Sequence, residues 1–113
     1  MRAPSDATEL WQGPAGGSAL LEVSRGPLEP WSWTLEPGES RVSDTHHPGA
    51  LELVKVRRGT LALEVDDESV QVKTGHSAWF DASRQHGSRT ATTTPVTFTL
   101  VVFDPANRTA ELT

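Results

Sequence analysis

Cysteine is absent from this chain of 113 residues, so neither a disulfide framework nor a cysteine zinc site is available to it. Long apolar runs are missing as well. No stretch approaches the ~18 residues that a membrane helix needs. Met1 to Glu9 carries one arginine and no apolar run, unlike a secretory signal. A cytoplasmic protein without membrane contact is therefore expected. Cationic stripes are scarce: the densest stretch is Lys55 to Arg58, interrupted by Val56, in a chain of formal net charge −5. Binding to a phosphate backbone rests on neutralising several phosphates, so this chain alone is not expected to contact nucleic acid. Amphipathic helices, long repeats and low-complexity linkers are also lacking, and nothing reads as a helix-turn-helix.

What remains is a β pattern. Short runs rich in Val, Thr, Trp and Phe are punctuated by turn residues about every ten positions, as in a sandwich or barrel. The punctuation includes Gly26-Pro27, Pro37-Gly38, Pro48-Gly49, Gly59, Asp66-Asp67, Gly75, Gly87 and Pro95. Alternation identifies strand faces, because successive side chains point to opposite sides. Trp31, Trp33 and Leu35 share one face, with Ser32 and Thr34 on the other. Val96, Phe98, Leu100 and Val102 alternate with Thr97 and Thr99. Leu61, Leu63 and Val65, followed by Val70 and Val72, predict a hairpin over Thr60–Lys73 that turns between Asp66 and Ser69. The four tryptophans are expected mostly in the core, with Trp31 or Trp33 available to line a pocket. One domain is expected over residues 10–104, with an N-terminal arm (1–9) and a C-terminal tail (105–113).

One strand carries an informative exception. In Leu51 to Arg58, Val54 and Val56 share a face with Glu52, while Lys55 and Arg57 take the other. A carboxylate facing a core is costly unless it is protonated, hydrogen-bonded or bound to a metal. Near the mouth of a barrel it is the kind of polar group that a ligand site uses. Histidines flank this strand on both sides: His46 and His47 before it, His86 after it.

Their spacing resembles that of the cupin family. His47 and Glu52 are separated by four residues, and Glu52 and Gly59 by six, as in the first cupin motif, with Gly38 resembling its opening glycine. Gly75 and His86 resemble the ends of the second motif. The order of Leu10-Trp11-Gln12-Gly13, Trp33 to Glu39, His46 to Glu52, Phe80-Asp81-Ala82 and Phe98 to Val102 is similar to the small cupin domain of XRE-type helix-turn-helix regulators. That resemblance implies an all-β fold, a double-stranded β-helix or small jelly-roll barrel of two antiparallel sheets. It also implies a metal site from histidines and a glutamate. Thr45 stands where the first histidine would be, and Thr90 stands in place of a usual asparagine, so the set available is Glu52, His86 and either His46 or His47. Imidazole and carboxylate suit a divalent iron, zinc, manganese or nickel ion. Trp33, Val54, Phe80 and Phe98 are the expected pocket residues.

Function is less constrained, because one barrel hosts many activities. The first expectation is a module that senses a small molecule, resembling a regulator's ligand-binding part without its DNA-binding domain, either as a piece of a longer regulator or as a barrel on its own. The alternative is a metal-dependent oxygenase, isomerase or cyclase; turnover is the less favoured of the two, and no nucleophile–base pair can be assembled from spacing. A homodimer is expected, paired through an exposed β edge or the N-terminal arm.

Overall fold

The computed structural model describes residues 7–22 and 26–106; the expected arm and tail fall largely outside them. Ten strands and no helix occupy the described residues, so no helix there is long and apolar enough to cross a membrane. In chain order they are β1 (Thr8–Gln12), β2 (Ser18–Leu21), β3 (Leu28–Leu35), β4 (Ser40–Ser43) and β5 (Leu51–Arg58), followed by β6 (Thr60–Val65), β7 (Glu68–Lys73), β8 (Ser77–Asp81), β9 (His86–Thr90) and β10 (Val96–Phe103). Two antiparallel sheets form. One has the order β1-β2-β3-β10-β5-β8 and the other β4-β9-β6-β7. The strands cross between sheets as the chain advances, which makes this a double-stranded β-helix of the cupin kind.

The core is the sum of the inward rows. On the larger sheet, Trp33, Phe98 and Val56 lie side by side across β3, β10 and β5. Phe98, Leu35, Leu61, Val54, Val56 and Val96 are fully buried. Each such side chain contributes about 1.5–3 kcal/mol of transfer free energy. The Trp33 and Phe98 rings stack with centroids 6.0 Å apart, and Trp11 and Trp31 tilt against Trp33. β5 alternates as its sequence predicts: Glu52, Val54 and Val56 are buried, while Leu51, Leu53, Lys55 and Arg57 are exposed. The β6–β7 hairpin turns through Asp66 and Asp67, with Val65 opposite Glu68, and Asp66 takes a positive φ of 52° that aspartate tolerates.

Two apolar residues depart from expectation. Trp79 lies on the outer face of β8 and is 69% exposed, because its neighbour Phe80 takes the inward position. Val70 shares a face with Val72 but is 53% exposed, because β7 is the free edge of its sheet and no strand covers it there.

A buried carboxylate secures the other end of the barrel. Glu39 accepts hydrogen bonds from the backbone N–H groups of Ala15 and Glu36, both at 2.8 Å. Its carboxylate fills the space where a side chain at Gly13 or Gly17 would stand, so both positions need glycine for close approach.

Candidate metal and ligand site

Three elements bring the site together. β5 holds Glu52 on its inward face. The loop from β4 to β5 supplies His46 and His47, and His86 opens β9, which pairs with β4 and β6. The loop is shaped by a turn in which the Ala50 N–H donates to the His47 carbonyl at 3.0 Å, with Gly49 at a φ of +87°. The His46 N–H is tied to the Ala82 carbonyl at 2.9 Å. The turn decides between the two histidines that spacing left open. His46 projects inward, whereas the His47 side chain is 64% exposed and donates from Nδ1 to Asp104 at 2.9 Å. Thr45, at the position of the missing histidine, is exposed.

His46, Glu52 and His86 converge, each offering a ligand atom within 4.8 Å of the others. Glu52 Oε2 is 2.9 Å from His46 Nε2 and 2.9 Å from His86 Nε2. Ligands at about 2.1 Å from one ion and at right angles lie about 3 Å apart, so these separations fit adjacent positions on a single divalent ion. His86 Nδ1–H donates to the Arg84 carbonyl at 2.8 Å, which turns Nε2 toward Glu52. That Nε2 is buried and faces the Glu52 carboxylate at ion-pair distance. Two lone pairs at this distance repel unless a cation or a proton lies between them. Burial pushes the His86 imidazole down, but the hydrogen bond and charge of Glu52, with the Arg84 carbonyl, outweigh it, and its pKa is raised above the ordinary value. The backbone carbonyl also fixes the ring's orientation, as partners behind metal-bound histidines do.

Asp104 supplies a second support that the sequence did not reveal. It is buried, accepts from His47 Nδ1 and lies 4.0 Å from His46 Nδ1, on the far side of that ring from Glu52. Burial raises its carboxyl, but the hydrogen bonds from His47 and from the Ala106 N–H prevail and lower its pKa. An aspartate just beyond the last strand, in Asp104-Pro105, looks like a simple turn residue in the sequence.

The cluster opens onto a cavity of about 200 Å³. Trp31, Trp33, Leu100 and Val102 form its apolar wall, and Arg41 and Ser43 its polar one. Of the expected pocket residues, Trp33 reaches the cavity and Phe98 a narrow inner extension of it. Val54 does not; it is buried in the core cluster. Phe80 packs against the His86 ring, with centroids 5.1 Å apart, and fronts a different cleft with Trp79 and Val70, because β8 is the edge of its sheet.

Residues 31–103 match the Cupin_2 family, described as a cupin domain, and the chain belongs to that family. No curated protein matches the chain. Solved structures share its fold. The cupin domain of an XRE-family transcriptional regulator from Enterobacter cloacae superposes with a TM-score of 0.74 at 23% identity, covering 79% of this chain and 97% of that one. An HTH_3-family transcriptional regulator from Vibrio cholerae gives 0.72 at 21% identity, covering 79% of this chain and 51% of the regulator. A predicted oxalate decarboxylase from Thermotoga maritima gives 0.68 at 18% identity, covering 89% and 96%.

Proposed function

We propose that this chain is a ligand-binding cupin barrel in which His46, Glu52 and His86 hold a divalent metal ion and a small organic molecule occupies the adjoining cavity. The observation that carries this reading is the convergence of His46 Nε2 and buried His86 Nε2 on one Glu52 oxygen, each at 2.9 Å. When bound, the ion supplies a Lewis-acidic site with positions left for an exogenous ligand. The chain's own residues do the rest. Arg84 and Asp104 lie behind the two imidazoles and orient them, and the tryptophan wall takes the apolar body of the ligand. The role in view is sensing, as part of a cytoplasmic regulatory system, since two of the similar structures are transcriptional regulators. DNA contact is not assigned to this chain.

Metal analysis of tag-free protein tests the reading. Near-stoichiometric iron, zinc, manganese or nickel in the wild type, lost in both Glu52→Ala and His86→Ala, is the expected result. A wild type that takes up no metal on reconstitution retires it. His47→Ala is expected to keep the metal, since its ring is turned outward.

One observation favours turnover as a second reading: His46 and Glu52, two of the three side chains that would hold an ion, also line the cavity, so a substrate there would lie beside it. Consumption of a small carboxylic or hydroxylated substrate by the metal-loaded protein, absent in Glu52→Ala, would establish it.

The chain is also proposed to form a homodimer, through a surface other than the edge or arm expected from the sequence. The outer face of the larger sheet carries an apolar patch instead. Trp79, Leu53, Val101 and Pro30 follow one another across β8, β5, β10 and β3, and Leu51, Phe103 and Leu28 form the next row. Five of these seven residues are exposed large hydrophobics, an arrangement that marks an interaction surface. A patch of this kind can meet its own copy across a two-fold axis.

A further inference from the structure

Arg41 is in an unexpected place. β4 pairs with β9 so that Ser43 lies opposite His86 and Arg41 opposite Ser88. Opposed residues share a face, and His86 points into the barrel, so Ser43 and Arg41 face inward as well. Val42, between them, faces solvent and is 66% exposed. Hydropathy alone would have reversed this strand. Arg41 lines the cavity and its inner extension together with Trp33, Glu52 and Leu100. Among the described residues it makes no hydrogen bond or ion pair, although Glu29, Asp44 and Glu52 line the same cavity. By contrast, Arg84 and Arg89 each reach a carboxylate, Asp66 and Glu64 respectively.

A buried donor lies nearby. Trp33 is 8% exposed, and its Nε1 is a buried donor with no partner. Buried indole N–H groups normally find an acceptor. The cavity therefore presents one exposed guanidinium with no protein partner, whose fork matches a carboxylate. The rest of its lining combines the apolar Trp31, Leu100 and Val102 with Ser43, the acidic Glu29 and Asp44, and Glu52, which His46 engages.

We infer that the ligand is a small organic carboxylate, with its anionic group on Arg41 and its hydrophobic body against Trp31 and Trp33. The inference rests on the cavity being the ligand site but not on the metal. Arg41 is thus a specificity-determining residue for charge: it favours an anion over a neutral isostere.

Three probes with one aromatic body separate the cases: phenylacetate, phenylacetamide and phenethylamine. Binding is measured by calorimetry on wild-type protein, metal-free and metal-loaded, and on Arg41→Gln and Arg41→Lys, with thermal melts and metal content recorded for each. In the wild type, phenylacetate is expected to bind at least about tenfold more tightly than phenylacetamide, the scale of a hydrogen-bonded charge pair. Arg41→Gln is expected to abolish that preference while keeping the wild-type melt and metal content, and Arg41→Lys to retain part of it. Equal binding of acid and amide, preference for phenethylamine, no binding of any probe, or an Arg41→Gln variant that still prefers the acid overturns the inference. The two readings fail separately. Protein that takes up metal but does not discriminate acid from amide leaves the metal site standing. Protein that prefers the acid through Arg41 but holds no metal leaves the carboxylate site standing.

Discussion

Asp104 shows how a single side chain ties the barrel to its site. Its carboxylate accepts from the His47 Nδ1–H and the Ala106 N–H and lies behind His46. Because its folded pKa is lowered, folding favours the ionised form. The stabilisation is complete above the unfolded value of about 3.9 and is lost as pH falls through the lower folded value. Asp104→Asn is therefore expected to melt below the wild type between pH 5 and 7, with the gap closing below about pH 4. Melting curves across that range check it, and a gap independent of pH would assign the effect to packing alone. The same variant is expected to weaken metal uptake without abolishing it, since the residue supports a ligand rather than being one.

The strands fall into two kinds. β5 and β10 follow the hydrophobic alternation, because their inward faces meet the core, and β6 adds a buried Ala62 on its other face. β4 does not, because its inward face lines a cavity that holds polar groups. Substitutions should therefore not follow hydropathy. Leu61→Ala is expected to cost about 2–5 kcal/mol, as for deletion from a close-packed core. Val42→Thr, on an exposed strand face, is expected to change stability by no more than about 0.5 kcal/mol. Urea unfolding of the two variants measures both. A large loss in Val42→Thr would mean that the outer face of β4 is covered in solution.

Across the whole molecule, the two sheets present unlike surfaces. The inside holds the cluster and the cavity, and the outside of the larger sheet holds the apolar rows around Leu53 and Trp79. If a second copy covers those rows, light scattering at micromolar concentration will give a dimer, and Leu53→Glu with Trp79→Glu will give a monomer that still takes up metal. A wild type that is monomeric at those concentrations would show that the patch has another occupant. Its distance from the cavity in the fold separates the two phenotypes.

Much of this architecture was legible beforehand, and the reason is local. Strand faces follow from a period of two, turns from glycine, proline and aspartate, and the inward carboxylate from the register that Val54 and Val56 share with Glu52. The spacing of His47, Glu52, Gly59 and His86 pointed to the family and to the strands that carry the site. The choice of His46 over His47 was not legible, since it depends on how the Pro48-Gly49 turn aims two adjacent side chains. Nor were the roles of Arg41 and Asp104, which lie outside the motifs and meet the site only across strand pairings and loop closures. The inward side of β4 likewise depends on what stands opposite it. Alternation along a chain reports which residues share a face; which face turns inward, and which distant groups it meets there, is decided by the pairing of strands far apart in sequence.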